Sequence, residues 1–384
     1  MALTGAMSAG ISGLKTHMEA LNVVGNNVAN VNTYGYKAGR VTFKESIYST
    51  QSAGSAGTDV VGSTNPKQTG YGCSIGTIDL DMSTKSLEST GIDTDCAIQG
   101  DGFFLVGTKT VDINSMDSVK GLSLSRVGNF EFRDGYLTDG QGNVVYGFVT
   151  AVLPGADGAT SVPGTEPSET PSTALVPIRL PLKATGSDAT VDPNDPNYIA
   201  PGTAVYPGVN ADSGKNMYAD DEGMPDTTIA TTGEYIKVES LTIDENGCIK
   251  CVNGDTQEPV VIGYIALGSV ENPGGLLHTD GPYYSAGDAA GAITLSAPGS
   301  SVQGSLNNGK IQVDDGTGNM VTDPTTRLTA KSGTTLLTSF LEASGTDLAT
   351  EFANMITYQR GYQANTRIIT VTDTMLEELV NIKR

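Results

Sequence analysis

Met7-Ser8-Ala9-Gly10-Ile11-Ser12-Gly13-Leu14-Lys15-Thr16-His17-Met18-Glu19-Ala20-Leu21 carries a helical rhythm. Met7, Ile11, Leu14, Met18, Leu21 and Val28 fall at alternating steps of four and three, with one gap at Gly25. That spacing lays a single apolar seam along a helix. A second seam stands at the other end of the chain. There Leu348, Met355, Tyr362, Ile369 and Leu376 are seven apart, with Phe352 and Val380 on the adjacent row. A chain with a seam at each end and its globular mass between them is expected to pair its termini. The same pattern also fits two ordinary amphipathic helices packed on one core.

Energetics bear on which reading holds. Gly5, Gly10, Gly13 and Gly25 lie inside the first helical pattern, and each costs about 1 kcal/mol relative to Ala in a helix interior. An isolated helix of this length cannot spare that, because most helical stability comes from packing. Burying Ile, Leu or Met contributes about 1.5 to 3 kcal/mol each, so six such residues meeting a neighbour's seam supply on the order of 10 kcal/mol. Glycines also let neighbouring helices approach closely. Periodicity and energetics together describe a chain that polymerises through its ends.

The residues around the seams carry a resemblance. The first helix runs into Asn22-Val23-Val24-Gly25-Asn26-Asn27-Val28-Ala29-Asn30-Val31-Asn32-Thr33, then Tyr34-Gly35-Tyr36-Lys37. Asparagine competes for backbone hydrogen bonds and favours caps and turns, so five of them in eleven residues mark a helix end leading into a loop. The last helix carries Gln359-Arg360-Gly361-Tyr362-Gln363-Ala364-Asn365. Together these resemble the axial proteins of the bacterial flagellum, the family of rod, hook and hook-associated subunits. The motif residues are Asn26, Asn27, Asn30, Asn32, Thr33, Gly35, Tyr36 and Lys37, with Gln359, Arg360, Tyr362, Gln363 and Asn365. Ile98-Gln99-Gly100-Asp101-Gly102-Phe103-Phe104, Arg126-Val127-Gly128-Asn129-Phe130 and Leu341-Glu342-Ala343-Ser344 are most similar to hook subunits within that family.

Composition excludes several other functions. The chain has 384 residues, a net charge of −21 and 17% charged residues, with no clustered Lys and Arg to hold nucleic acid. No apolar run approaches the roughly 18 residues of a membrane helix, so membrane insertion is not expected. The first residues do not form a Sec signal, since Lys15, His17 and Glu19 interrupt the apolar stretch. There is no Gly-x-Ser-x-Gly elbow, phosphate loop or His-Glu-x-x-His helix, and Gly100-Asp101-Gly102 reads as a tight turn. No enzyme, cofactor or metal is expected. Cys248-Ile249-Lys250-Cys251 is a single pair that cannot complete a tetrahedral zinc site. Inert thiols are the first reading for the four cysteines, with a disulfide as the alternative.

Organisation follows from shifts in composition. With 48 glycines and 17 prolines, the body of the chain is expected to be many short strands joined by turns. Residues 1–32 and 346–384 form a terminal helical polymerisation domain, and 33–72 an extended connector. Residues 73–149 and 235–345 form one discontinuous β domain. Between its halves, 150–234 hold 11 of the 17 prolines and 12 acidic residues against three basic ones. This inserted outer segment is either disordered or a small acidic β domain. The expected fold is mainly β with α-helical termini, which pair as a coiled-coil-like axial domain with nested β domains between them.

The resemblance implies a structural, self-assembling subunit of the flagellar hook, a tubular joint carrying torque from rod to filament. It implies a helical homopolymer whose other partners are rod, hook-cap and hook–filament junction proteins and the flagellar export apparatus. It also implies export to the extracellular flagellum without a cleaved signal. A distal rod protein is the alternative within the family, and a secreted acidic β-rich adhesin or binding module is the alternative from another class.

Overall fold

The computed structural model describes residues 2–57, 62–109, 119–150, 171–186, 201–202, 204–205, 231–296, 298, 305–307, 310–314, 320–321 and 334–382. The chain is mainly β, with one long helix at each end. It divides into two compact units, Met1–Met82 with Ser344–Arg384, and Ser83–Ala343.

In the first unit, helix α1 (Ala2–Ala29) packs against helix α2 (Leu348–Ile382). The segment between α1 and the second unit carries strands β1 (Gly39–Glu45), β2 (Tyr48–Ser52), β3 (Lys67–Gly70) and β4 (Cys73–Leu80). β1 pairs antiparallel with β4, and β2 with β3. The stretch read as a connector, 33–72, therefore carries β1, β2 and β3, and β4, read as the start of the β domain, belongs to this same unit as the partner of β1. α1 holds the start of β4 directly. The Ser12 hydroxyl reaches Tyr71 O at 3.3 Å, and the Thr16 hydroxyl donates to Cys73 O at 3.2 Å. Gly72, with φ +106°, sits so close that a Cβ there would lie 1.9 Å from Ser12 Oγ.

The second unit is built on a sheet running through Val238–Ile243, Cys248–Asn253, Pro259–Ile265, Val144–Thr150, Phe103–Gly107, Ser123–Ser125, Tyr283–Ser285 and Leu277–His278. Val144–Thr150 pairs with Pro259–Ile265, which joins chain from both sides of the acidic segment in one sheet. The central strands of this sheet are covered on both faces, so that Phe103, Phe104, Leu105 and Val106 are buried in succession, and Val145, Ile249 and Ile265 are wholly buried. Turn chemistry behaves as its residues require. Asp134 (φ 50°) and Gly135 (φ 78°) take the left-handed conformation of a two-residue hairpin between Glu131–Arg133 and Tyr136–Thr138. Gly100 and Gly102 likewise take positive φ immediately before the buried strand at Phe103.

Two details modify the sequence reading. Leu175, Val176, Ile178 and Leu180, at the acidic segment's described end, are buried. Pro171–Pro177 pairs with Val144–Thr150, so this stretch is a strand of the main sheet. Leu182–Ala184 pairs with Ala204–Val205 and with Thr231–Tyr235 in a separate three-stranded sheet, and most of the rest of 150–234 lies outside the described residues. The second detail concerns the cysteines. Cys248 and Cys251 are both buried on one strand, although residues three apart on a regular strand face opposite sides. The register shift between Ile249 and Lys250 is an extra residue, Ile262, in the neighbouring strand, so the two thiols keep opposite faces and both are buried because the strand is covered on both sides. All four cysteines are free, and burial pushes the Cys251 thiol up to about 11.

Candidate assembly site

α1 and α2 run antiparallel, and small residues set their contact. Gly10, Gly13, Thr16, Ala20, Val24 and Asn27 form the buried face of α1. A Cβ at Gly13 would lie 2.8 Å from the Asn365 side chain, and one at Gly361 would lie 2.6 Å from the His17 ring. A Cβ at Gly10 would stand 3.3 Å from Ile369 Cγ1. Glycines that cost helix propensity thus allow the two backbones to close on each other. The interior of this contact is aromatic at its middle, where the His17 ring lies 5.6 Å from Phe43 of β1 and 6.2 Å from Tyr358 of α2.

The large apolar seam of α1 does not make this contact. Met7, Ile11 and Met18 are 37 to 46% exposed, while Leu14, Leu21 and Val28 are half-buried. On α2, Met355, Tyr362 and Ile369 are half-buried, whereas Leu348, Phe352, Leu376 and Val380 are exposed. The heptad rows therefore straddle the boundary between the inner and outer faces of the pair. Residues that the heptad reading missed extend the outer surface: Ile356, Ile368, Val371, Met375, Leu379 and Ile382 are all exposed. Their signal in the sequence was the run of apolar residues off the seven-residue rows, which a single-seam template discards.

The asparagine box forms a hydrogen-bonded knot at the end of α1. Asn27 is buried, its Nδ2 donating to Gly39 O at 2.8 Å and Glu351 Oε1 at 3.1 Å. Its Oδ1 accepts from Gly39 N and from the Tyr36 hydroxyl, both at 3.0 Å. Asn26 Nδ2 donates to the Tyr36 hydroxyl, Asn30 Nδ2 to Asn26 O, and the Thr33 hydroxyl to Asn30 Oδ1. Gly35 takes φ 67°, letting the chain reverse so that buried Tyr36 and Lys37 return beneath the helix. Among the remaining motif positions Asn32, Gln359, Arg360 and Gln363 are exposed, and Asn365 lies against Gly13.

The same knot positions the start of α2. The Thr346 hydroxyl donates to Asn27 O at 3.1 Å, and Gly345 N to Tyr36 O at 2.8 Å. Asp347 caps the helix, its carboxylate accepting from Ala349 N and the Thr350 hydroxyl, which holds it below the usual carboxylate range. Glu351 behaves oppositely. Burial, reinforced by Asp347, raises its pKa against the Asn27 hydrogen bond, and its Oε2 is buried without a partner. Desolvation lowers His17, whose Nδ1 is also buried without a partner. The site is two helices fixed to each other by small residues and one knot, with apolar side chains left on their outside. Charge favours association too. Residues 83–343 hold 33 of the 43 acidic residues, leaving the terminal unit nearly balanced at ten acidic and nine basic. Copies meeting there have little net repulsion.

Comparison with known proteins agrees with this geometry. Residues 7–37 match the family model described as flagella basal body rod protein, and residues 337–382 match that of the flagellar basal body rod FlgEFG protein C-terminal. The chain is 31% identical to the flagellar basal-body rod protein FlgG of Bacillus subtilis over 99% of both chains. It is 28% identical to the flagellar hook protein FlgE of Borreliella burgdorferi over 98% of this chain and 99% of that one. Identity to the FlgE hook protein of Escherichia coli is 27%, over 98% of this chain and all of the other. Among solved structures, the Helicobacter pylori hook protein FlgE2 aligns over 67% of this chain and 100% of its own at 12% identity. Its TM-score of 0.28 is too low to bear on the fold.

Proposed function

The chain belongs to the flagellar basal-body rod and hook protein family, and from that membership we propose that it is the self-assembling subunit of a bacterial flagellar hook. The family is structural and not enzymatic. Its members work as polymers, and the observation that carries the reading here is the outer face of the α1–α2 pair. Met7, Ile11 and Met18 with Ile368, Val371 and Met375 leave a large apolar surface uncovered on a unit with almost no net charge. Exposed apolar surface of this extent marks an association site. The polymer would form through the paired ends and carry torque from rod to filament. In this reading residues 1–32 and 346–384 polymerise. Rod, hook-cap and junction proteins meet the ends of the tube, and export through the flagellum's own apparatus delivers the subunit.

A distal rod subunit is the second reading, favoured by the similarity to a FlgG rod protein over 99% of both chains. Electron microscopy of purified, polymerised protein distinguishes the two. Curved tubes fit a hook and straight ones a rod. Monodisperse globules at high concentration would overturn both.

A further inference from the structure

Arg360 and Arg367 lie on the side of α2 turned away from α1. The inner side runs through Tyr358, Gly361, Asn365 and Ile369, which face His17, Gly13 and Gly10. Ile356, Arg360, Arg367, Val371 and Glu378, at steps of four and seven, form a stripe on the opposite side, and all five are exposed. Charge changes sign along this stripe, from two arginines at its middle to Glu378 near its end, with Glu377 beside it.

α2 cannot neutralise these charges by itself. No residue three or four positions from either arginine is acidic, and none at that distance from Glu377 or Glu378 is basic. Among the described residues, Arg360 reaches Gln363 Oε1 at 3.5 Å, and neither arginine has an ion pair. The last turn of α2 carries no basic residue, and Glu377 and Glu378 stand just before it, toward the end of the helix that favours cations. Lys383 and Arg384 lie outside the described residues.

We propose that these charges complete an ion-pair contact with a second copy of this chain, the Arg360–Arg367 pair of one α2 receiving the Glu377–Glu378 pair of the next. The inference rests on the proposed polymer and names one of its contacts. Meeting antiparallel, the two patches would pair reciprocally and close as a two-fold dimer. Meeting parallel and staggered, they make a heterologous contact that does not close on itself, and the proposed polymer requires the parallel arrangement. That is the geometry of an open helical filament. Neighbouring α2 helices run parallel, displaced by about 11 to 18 residues, or roughly 16 to 27 Å along the axis. Apolar neighbours such as Val371 supply burial, while the charges select this stagger over others, because a wrong stagger sets like charges against each other.

Charge reversal in the full-length chain tests this. One variant carries R360E and R367E, another E377R and E378R, and a third all four changes. Circular dichroism checks that each keeps its helices, and sedimentation gives the critical concentration for polymer formation. Each two-site variant alone should raise that concentration about tenfold or more. The four-site variant, and an equimolar mixture of the two-site variants, should return it to near the wild-type value. Wild-type protein that polymerises while both two-site variants do so equally overturns the contact alone. Loss in the two-site variants without rescue in the mixture or the four-site chain also overturns it. Wild-type protein that remains monomeric overturns the proposed polymer together with the contact.

Discussion

Asn27 and Glu351, 324 positions apart in the chain, are joined by a 3.1 Å hydrogen bond from Nδ2 to Oε1. The bond ties the last turn of α1 to the first turn of α2, and through Asn27 to Gly39 and Tyr36. One amide side chain thus gathers three segments, using both donors and its acceptor oxygen, with no hydrogen-bonding capacity left idle. That is why an asparagine stands there: no other side chain of its size offers donor and acceptor from a planar group.

Asn27→Ala should destabilise the terminal unit by about 2 to 4 kcal/mol, since it leaves buried partners at Gly39, Tyr36 and Glu351 unpaired. Asn27→Asp should be worse at neutral pH than at mildly acidic pH, because it sets a second carboxylate against Glu351. Thermal unfolding followed by circular dichroism at two pH values measures both. Equal stability of wild type and Asn27→Ala would show that the knot adds nothing to the helix pair.

Glu351 and His17 give the helix pair opposing pH dependences. Glu351 is raised in the fold, so its contribution is complete below the ordinary carboxylate range and is lost as pH rises through the raised value. His17 is lowered, so its contribution is complete above the ordinary imidazole range and is lost as pH falls through the lowered value. Glu351→Gln should therefore stabilise the pair at neutral pH by roughly 1 kcal/mol and flatten the alkaline side of the profile. A Glu351→Gln profile parallel to wild type from pH 4 to pH 8, on the order of the window set by these groups, would argue against the assignment.

Glycines in the terminal helices should divide into two classes. A Cβ added at Gly5 or Gly25 would meet nothing within 4 Å, whereas one at Gly13 or Gly361 would come to 2.8 or 2.6 Å of a neighbouring side chain. Gly25→Ala should stabilise α1 by about 0.5 to 1 kcal/mol. Gly13→Ala and Gly361→Ala should cost about 1 to 3 kcal/mol, by forcing apart a close-packed contact. Melting temperatures of the three variants settle the division, and a uniform gain would show that the helices do not need their close approach.

Ile178→Ala should lower the stability of the whole 83–343 unit by about 2 to 4 kcal/mol. Ile178 is 3% exposed, and its N donates to Val145 O at 2.9 Å. Were residues 150–234 a separate outer domain throughout, this change would leave the unfolding transition of the rest of the unit in place. Chemical denaturation, followed by tyrosine fluorescence, reports which happens.

Helix periodicity at both ends and the tight turn at Gly100-Asp101-Gly102 were legible in the sequence. Each of these is set by steric and solvation preferences within a few consecutive residues. The asparagine box was legible as a motif, but its work was not, because the partners of Asn27 lie at Gly39 and Glu351. Which side of each helix would be inner was equally hidden. Size and hydrophobicity nominated Met7, Ile11 and Met18, yet the inner face went to Gly10, Gly13 and Ala20. Close approach of two backbones rewards the smallest side chains, and that reward exists only once the second helix is present. The burial of both Cys248 and Cys251 has the same character, since it depends on cover over both faces of their strand. Local preference determined where helices, strands and turns would form. Tertiary contact decided which faces were spent inside the chain and which were left outside for another copy, because burial is a property of two surfaces and a sequence pattern describes one at a time.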